Sequence, residues 1–138
     1  MNRSKSGLFL MELIIAICFF AIASAVCVQL FATAHRHSRR SIGIQMAVLN
    51  AQNAAESFRA TGSDLGLMAD ILQATVVDGG LVVRFDEDWN NDHTGRYEMV
   101  IEKDLSGDIA TANIRVVDSL LDEELHNIVV VRYLGLVR

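Results

Sequence analysis

The chain has 138 residues, 51% of them apolar, and a net charge of −5 at pH 7. Beyond an apolar N-terminal stretch, that length allows one soluble body of about 100 residues with one modest core. Its acids gather between Asp86 and Asp108 and again between Asp118 and Glu124, which argues against nucleic acid as the main partner of the folded part.

Residues 1–7 are short, polar and basic, with Arg3, Lys5 and the amino terminus, and they end at Gly7. The apolar run Leu8 to Ala34 follows at once. As a helix rising about 1.5 Å per residue it is about 40 Å long, more than the roughly 30 Å hydrocarbon core of a bilayer. One carboxylate, Glu12, sits inside it, and Lys and Arg are missing from Leu8 to Ala34. An acid within a spanning segment costs on the order of 3 kcal/mol unless it finds a partner, so it marks function. Both cysteines, Cys18 and Cys27, lie in this run, too far apart along a helix to bond to each other. A soluble body that is exported must therefore be stable without a disulfide. A lipoprotein acylation site at Cys27 does not fit, because Val26 stands where a small residue is needed.

Three arrangements compete for such an N-terminus. A secretory signal peptide has an apolar region of about 7 to 15 residues before a small-x-small site. Ala23-Ser24-Ala25 and Ala32-Thr33-Ala34 offer that site, but the run is too long and carries a charge near its start. A plain signal anchor has the right length and no use for Glu12. Counting Arg3, Lys5 and the amine against Arg36, Arg39 and Arg40 selects no orientation.

The third arrangement rests on Gly7-Leu8-Phe9-Leu10-Met11-Glu12-Leu13-Ile14-Ile15-Ala16. This stretch resembles the class III signal of type IV pilins and pseudopilins: a basic leader ending in Gly, four mostly apolar residues, Glu, and an unbroken apolar helix. The resemblance implies cleavage between Gly7 and Leu8 by a membrane-embedded prepilin peptidase, N-methylation of Leu8, and a leader facing the cytoplasm. Leu8 stands where the family most often has Phe. The helix-kinking proline common in major pilins is missing, as is every other proline. The physics of Glu12 agrees with this reading. In a packed bundle of such helices the cation within reach is the freed amine of a neighbour, and either charge left unpaired in a dry core is expensive. Pairing Glu12 with that amine would fix the axial stagger between subunits.

His35 to Arg40 is basic, an interfacial anchor where arginines reach headgroups, or a contact for acids of neighbouring subunits or for DNA. The helix continues to Ala60. Ile44, Val48, Ala51, Ala55 and Phe58 form an apolar stripe, widened by Ile42, Met46 and Leu49, while Gln45, Asn50, Gln52, Asn53, Glu56 and Arg59 take the other sides. Thr61-Gly62-Ser63-Asp64 ends it, with Gly62 as C-cap and Ser63 or Asp64 capping a short helix through Leu72.

The period then changes to two. Thr75–Val77 and Leu81–Phe85 flank the hairpin signal Asp78-Gly79-Gly80, and Arg96–Glu102, Ile109–Val117 and His126–Leu134 are further strands, with a turn at Asp104 to Asp108. Short connections make an antiparallel meander. The expected fold is α+β: a long N-terminal helix, membrane-spanning in its first half and amphipathic in its second, packed on a small antiparallel sheet. The expected organisation is a leader at 1–7, a spanning or filament-core half at 8–34, an amphipathic half at 35–60 and a β body at 61–138. This is also the pilin arrangement. The stretches Tyr97 to Glu102, Ile114 to Asp118 and the last strand ending in Arg132-Tyr133 are similar to the bodies of small Gram-positive pilin-like proteins.

Asp86, Asp88, Asn90 and Asp92 alternate like the early ligands of a calcium loop, but Asn91 replaces the needed glycine and Tyr97 the bidentate Glu. An acidic solvated turn, with Trp89 capping the core edge, is the reading we expect. His35, His37, His93 and His126 show no ligand spacing, and no nucleophile or phosphate-loop motif is present. We therefore expect no enzyme, no cofactor and no metal site. The resemblance implies a minor pilin or pseudopilin of a type IV pilus, competence or type II secretion-like filament. It would sit in the inner or cytoplasmic membrane and then in a surface filament. Its partners would be other subunits, the prepilin peptidase, and the assembly platform with its ATPase; nucleic acid enters only for a competence pilus. The alternative is a monomeric, single-pass, membrane-anchored binding domain.

Overall fold

A computed structural model describes residues 3–135, with side chains from Ser6 onward. Residues 1 and 2, and the side chains of Arg3 and Lys5 in the expected leader, lie outside the described set. The elements are α1 (Arg3–Ala60), α2 (Leu65–Leu72), β1 (Thr75–Val77), β2 (Gly80–Phe85), β3 (Tyr97–Ser106), β4 (Ile109–Asp118) and β5 (Glu123–Tyr133). The fold is α+β, a long N-terminal helix with a five-stranded antiparallel sheet in the order β1-β2-β3-β4-β5, as expected. The chain divides into two compact units, Met1–Ser41 and Ile42–Arg138. The first is apolar helix; the second holds the core.

Within the second unit, residues 42–60 of α1 lie on one face of the sheet. Ala47, Ala51, Ala54 and Phe58 are fully buried there, against Leu81 and Val83 of β2, Met99 and Ile101 of β3, and Ile114 and Val116 of β4. The buried stripe therefore differs from the one expected. Ala51, Ala55 and Phe58 belong to it, but Ile44 is exposed and Val48 only half-buried, and the remaining places are taken by Gly43, Ala47 and Ala54. At about 100° per residue these small residues share one side of the helix, and Ile42 and Leu49, both about half exposed, fall on the opposite side. Small side chains on this face of the helix meet the large residues of the sheet, which fill the space between the two layers. Counting only bulky apolar residues rotated the stripe toward Ile44.

The helix stops where expected. Gly62 takes a φ of +68° and the N–H of Ser63 donates to the Phe58 carbonyl at 3.0 Å. Asp64, rather than Ser63, caps α2, its Oδ1 accepting from the N–H groups of Gly66 (2.8 Å) and Leu67 (3.2 Å). Met68 of α2 is fully buried in the same core.

The strands match expectation in number and order but run longer. The β3–β4 turn is only Gly107-Asp108, because Gly107 adopts a φ of +60° and lets Ser106 pair directly with Ile109. Lys103 to Ser106 are thus strand, where a wider turn beginning at Asp104 was expected. β5 begins at Glu123, not His126, and ends at Tyr133, with a register shift opposite Val116 and Val117. The bulge absorbs one residue, so charged Glu123 and Glu124 still pair with the end of β4. β3 runs alongside α1. The Tyr97 hydroxyl lies next to Gly43, and at the other end the Lys103 ammonium donates to the Ser63 carbonyl. This direction fixes which loops lie at which end of the body.

Candidate functional site

The stretch singled out by the sequence, Leu8 to Ala34, is helical throughout, with every residue exposed. Leu8, Phe9, Phe19, Phe20 and Phe31 each show two thirds or more of their surface. The helix is long and apolar enough to cross a bilayer, and none of its most apolar stretch is buried. Its backbone groups are satisfied internally, and Ser24, one of its few polar residues, donates its hydroxyl to the Phe20 carbonyl at 2.8 Å. Cys18 and Cys27 are free and exposed on it.

Gly7, Leu8 and Glu12 all lie on α1. Gly7 has open space where a side chain would sit. Glu12 follows Leu8 by four residues, so the two share a face one turn apart. Helical Cβ atoms lean toward the N-terminus, which directs the Glu12 carboxylate toward the end where a freed amine of Leu8 would stand. His35 and His37 are two positions apart on the same helix and point to different sides.

In the body, Asp86, Asp88, Asn90 and Asp92 lie in the loop between β2 and β3. Asp86 organises it. One carboxylate oxygen accepts from the N–H groups of both Asp88 and Asn90 at 2.9 Å, and the N–H of Asp86 donates to the Asn90 carbonyl at 2.9 Å. The Asn90 N–H holds the Asp86 carboxyl below its ordinary value of 3.8 against partial burial, helped by the Asn90 amide and the Asp88 N–H. Asp92 accepts from the N–H and hydroxyl of Thr94 at 3.0 and 3.1 Å. Two of the four alternating residues therefore spend their oxygens on the loop itself. Among the described residues no three His, Cys, Asp or Glu side chains converge to hold a metal ion.

Trp89 caps the core edge as expected, and the same loop joins it to a network the sequence did not single out. Trp89, at a φ of +64°, stacks on Tyr97 with ring centroids 4.2 Å apart and packs against the core edge near Phe85. The Arg96 guanidinium lies 5.2 Å from the Tyr97 ring centroid and grips Asp118 from two sides, Nε to Oδ1 at 3.0 Å and Nη2 to Oδ2 at 2.7 Å. Asp118 is buried, and its Oδ1 also accepts from the N–H groups of Leu120 (3.0 Å) and Leu121 (3.4 Å). Burial pushes the Asp118 carboxyl up, but the hydrogen bonds from Arg96, Leu120 and Leu121 outweigh it and leave it below 3.8. The signal was present in the register, since Tyr97 pairs with Asp118 and Arg96 precedes it. Without that pairing, the separation of 22 residues gave no reason to join them.

On the outer face of β1 and β2 is an open hollow of about 240 Å³, bordered by Arg84, Asn91, Asp92 and His93. Arg84 is already paired with Glu98 at 2.7 Å, and the Asn91 amide donates to the Leu72 carbonyl at 3.1 Å. His93 lines the hollow, and His126 lies on β5 opposite Val116. Further along the outer face, Val129, Val131 and Tyr133 form an exposed apolar row on the edge strand β5. No protein-family model, curated protein sequence or solved structure gives a significant match to the chain.

Proposed function

We propose that the chain is a minor pilin or pseudopilin, a structural subunit of a type IV pilus, competence or type II secretion-like filament. The observation that carries this reading is the exposed apolar helix with one acid, Glu12, set five residues beyond Gly7 and followed by an α+β body. In this reading the subunit waits in the inner or cytoplasmic membrane with its leader in the cytoplasm. A prepilin peptidase cuts between Gly7 and Leu8 and methylates Leu8. An assembly platform and its ATPase then draw the subunit into a helical array, in which apolar helices form the core and β bodies the surface. Glu12 of one subunit accepts the methylated amine of another and fixes their stagger. The body is held by packing, the Arg96–Asp118 clamp and its loops, which leaves the apolar helix free to exchange lipid for neighbouring helices.

The test is the mass of the mature protein recovered from cells. We expect a chain beginning with N-methyl-Leu8, and Gly7→Leu is expected to block processing. A mature chain beginning at Met1 would favour a solitary membrane-anchored domain; one beginning after Ala25 or Ala34 would favour a secreted domain. Glu12→Ala is expected to leave cleavage intact and impair entry into filaments, and normal incorporation would refute the register argument.

A further inference from the structure

Two adjacent leucines, Leu120 and Leu121, form the turn between β4 and β5 with 72% and 61% of their surface exposed. Nothing about this turn is loose. The buried Asp118 carboxylate takes both leucine N–H groups, Arg96 holds that carboxylate, the Ser119 N–H donates to the Arg96 carbonyl at 2.9 Å, and Asp122 closes the turn at a φ of +50°. The pair of half-buried Arg96 and buried Asp118 thus holds two apolar side chains out into solvent. The end of the body matters too. Tyr97 pairs with Asp118 and its hydroxyl lies by Gly43, so the leucine turn sits at the end where α1 enters the body. The two turns at the opposite end are Asp78-Gly79 and Gly107-Asp108, without any large apolar side chain.

Only nine residues lead from Ala34 to Gly43. They reach about 13 Å as helix and about 30 Å fully extended, so this end of the body can stand no more than about 30 Å from the bilayer surface in a copy whose apolar helix spans. We propose that Leu120 and Leu121 are a second membrane contact, resting in the lipid interface beside the span and setting the attitude of the body on the bilayer. Asp122 and Glu124 beside the leucines disfavour anionic headgroups while Arg36, Arg39 and Arg40 of the connecting stretch attract them, so the contact is carried by the apolar side chains and is expected on a zwitterionic surface. This contact rests on the span of Leu8 to Ala34, not on filament formation.

The experiment uses the full chain carrying Cys18→Ser and Cys27→Ser, with single cysteines introduced by Leu120→Cys, Asp108→Cys or Phe20→Cys and labelled with a polarity-sensitive fluorophore. The protein is reconstituted into phosphatidylcholine vesicles at high lipid excess, and Trp89 emission confirms that each body is folded. A quencher attached near the lipid headgroup is expected to quench the label at 120 at least twofold more than the label at 108. Equal quenching at 120 and 108, with the label at 20 reached by a quencher deep in the acyl chains, overturns the contact and leaves the span standing. A label at 20 that the deep quencher misses overturns the span and the contact with it. Shielding at 120 that disappears on lipid dilution shows a second copy as the occupant and likewise overturns the proposal.

Discussion

Removing Asp118 tests the clamp that holds this end of the body together. In the native structure its carboxylate receives three contacts from two Arg96 nitrogens at 2.7–3.1 Å and two backbone N–H groups, while its own side chain is 4% exposed and that of Arg96 27%. Truncating one partner of a fully buried pair costs about 3–5 kcal/mol. The orphaned guanidinium here keeps some hydration, so Asp118→Ala is expected to cost about 2–3 kcal/mol. Asp118→Asn keeps an oxygen for the Leu120 and Leu121 N–H groups but loses the charge and turns an amide NH2 toward the Arg96 donors in place of Oδ2, and is expected to cost about 1–2 kcal/mol. The assay is urea unfolding of the full chain in detergent micelles, followed by fluorescence of Trp89, the single tryptophan, which stacks on Tyr97 beside Arg96. The sign with pH follows from the depressed carboxyl. Its contribution is present in full above the ordinary carboxylate value and is lost as pH falls through the lower native one, so wild type and Asp118→Asn converge in acid. A double-mutant cycle with Arg96→Met isolates the pair. An Asp118→Asn effect below about 0.5 kcal/mol, or one unchanged by acid, would refute the clamp as a source of stability.

Ala51 is fully buried on the sheet side of α1 and Leu49 is half exposed on the other; by urea unfolding, Ala51→Leu is expected to cost about 1–3 kcal/mol and Leu49→Ala less than about 1 kcal/mol. The reverse order would restore the stripe centred on Ile44. Phe58→Ala, which empties the largest fully buried position of that face, is expected to cost about 3–5 kcal/mol in the same assay. A side chain at Gly80 would run into the Ile101 carbonyl, so Gly80→Ala is expected to lower the unfolding midpoint. Gly7→Ala meets open space and should leave body stability unchanged. Asp86→Ala removes the acceptor of the Asp88 and Asn90 N–H groups; it is expected to loosen Trp89, seen as red-shifted emission, and acidification of the wild type should move emission the same way by a smaller amount, since the ionised carboxylate accepts those bonds more strongly than the neutral acid.

The order and number of strands were legible because the runs of β-branched residues are separated by the turns Asp78-Gly79 and Gly107-Asp108, by the polar stretch 86–96, and by the short connection 119–122. Their ends were less so, because Lys103, Asp104, Glu123 and Glu124 look like loop residues in isolation and become strand only through cross-strand pairing. The helix face was misread for a related reason. Gly43, Ala47 and Ala54 carry little hydropathy, yet they take the buried side because the large residues of the sheet fill the space opposite them, a condition set by tertiary packing. Of the candidate site, Glu12 was conspicuous as a lone charge in an apolar run, whereas the Arg96–Asp118 clamp looked like ordinary surface charge until β3 and β4 were set in register.

The two acids that matter most in this chain meet opposite demands. Asp118 has its cation supplied by the same fold, so its burial is settled once the body forms and does not depend on any other molecule. Glu12 lies on a helix with no Lys or Arg between Leu8 and Ala34, so no cation of that stretch accompanies it out of the lipid interface. In the proposed filament, a subunit docked one helical turn out of register would leave Glu12 and a neighbouring amine both unpaired, at a cost of about 3–5 kcal/mol for each broken pair. Since about 1.4 kcal/mol is a factor of ten, a single acid per subunit would favour the correct stagger by a factor of about a hundred or more. The apolar surface around it supplies attraction in any register; the charge supplies the choice among them.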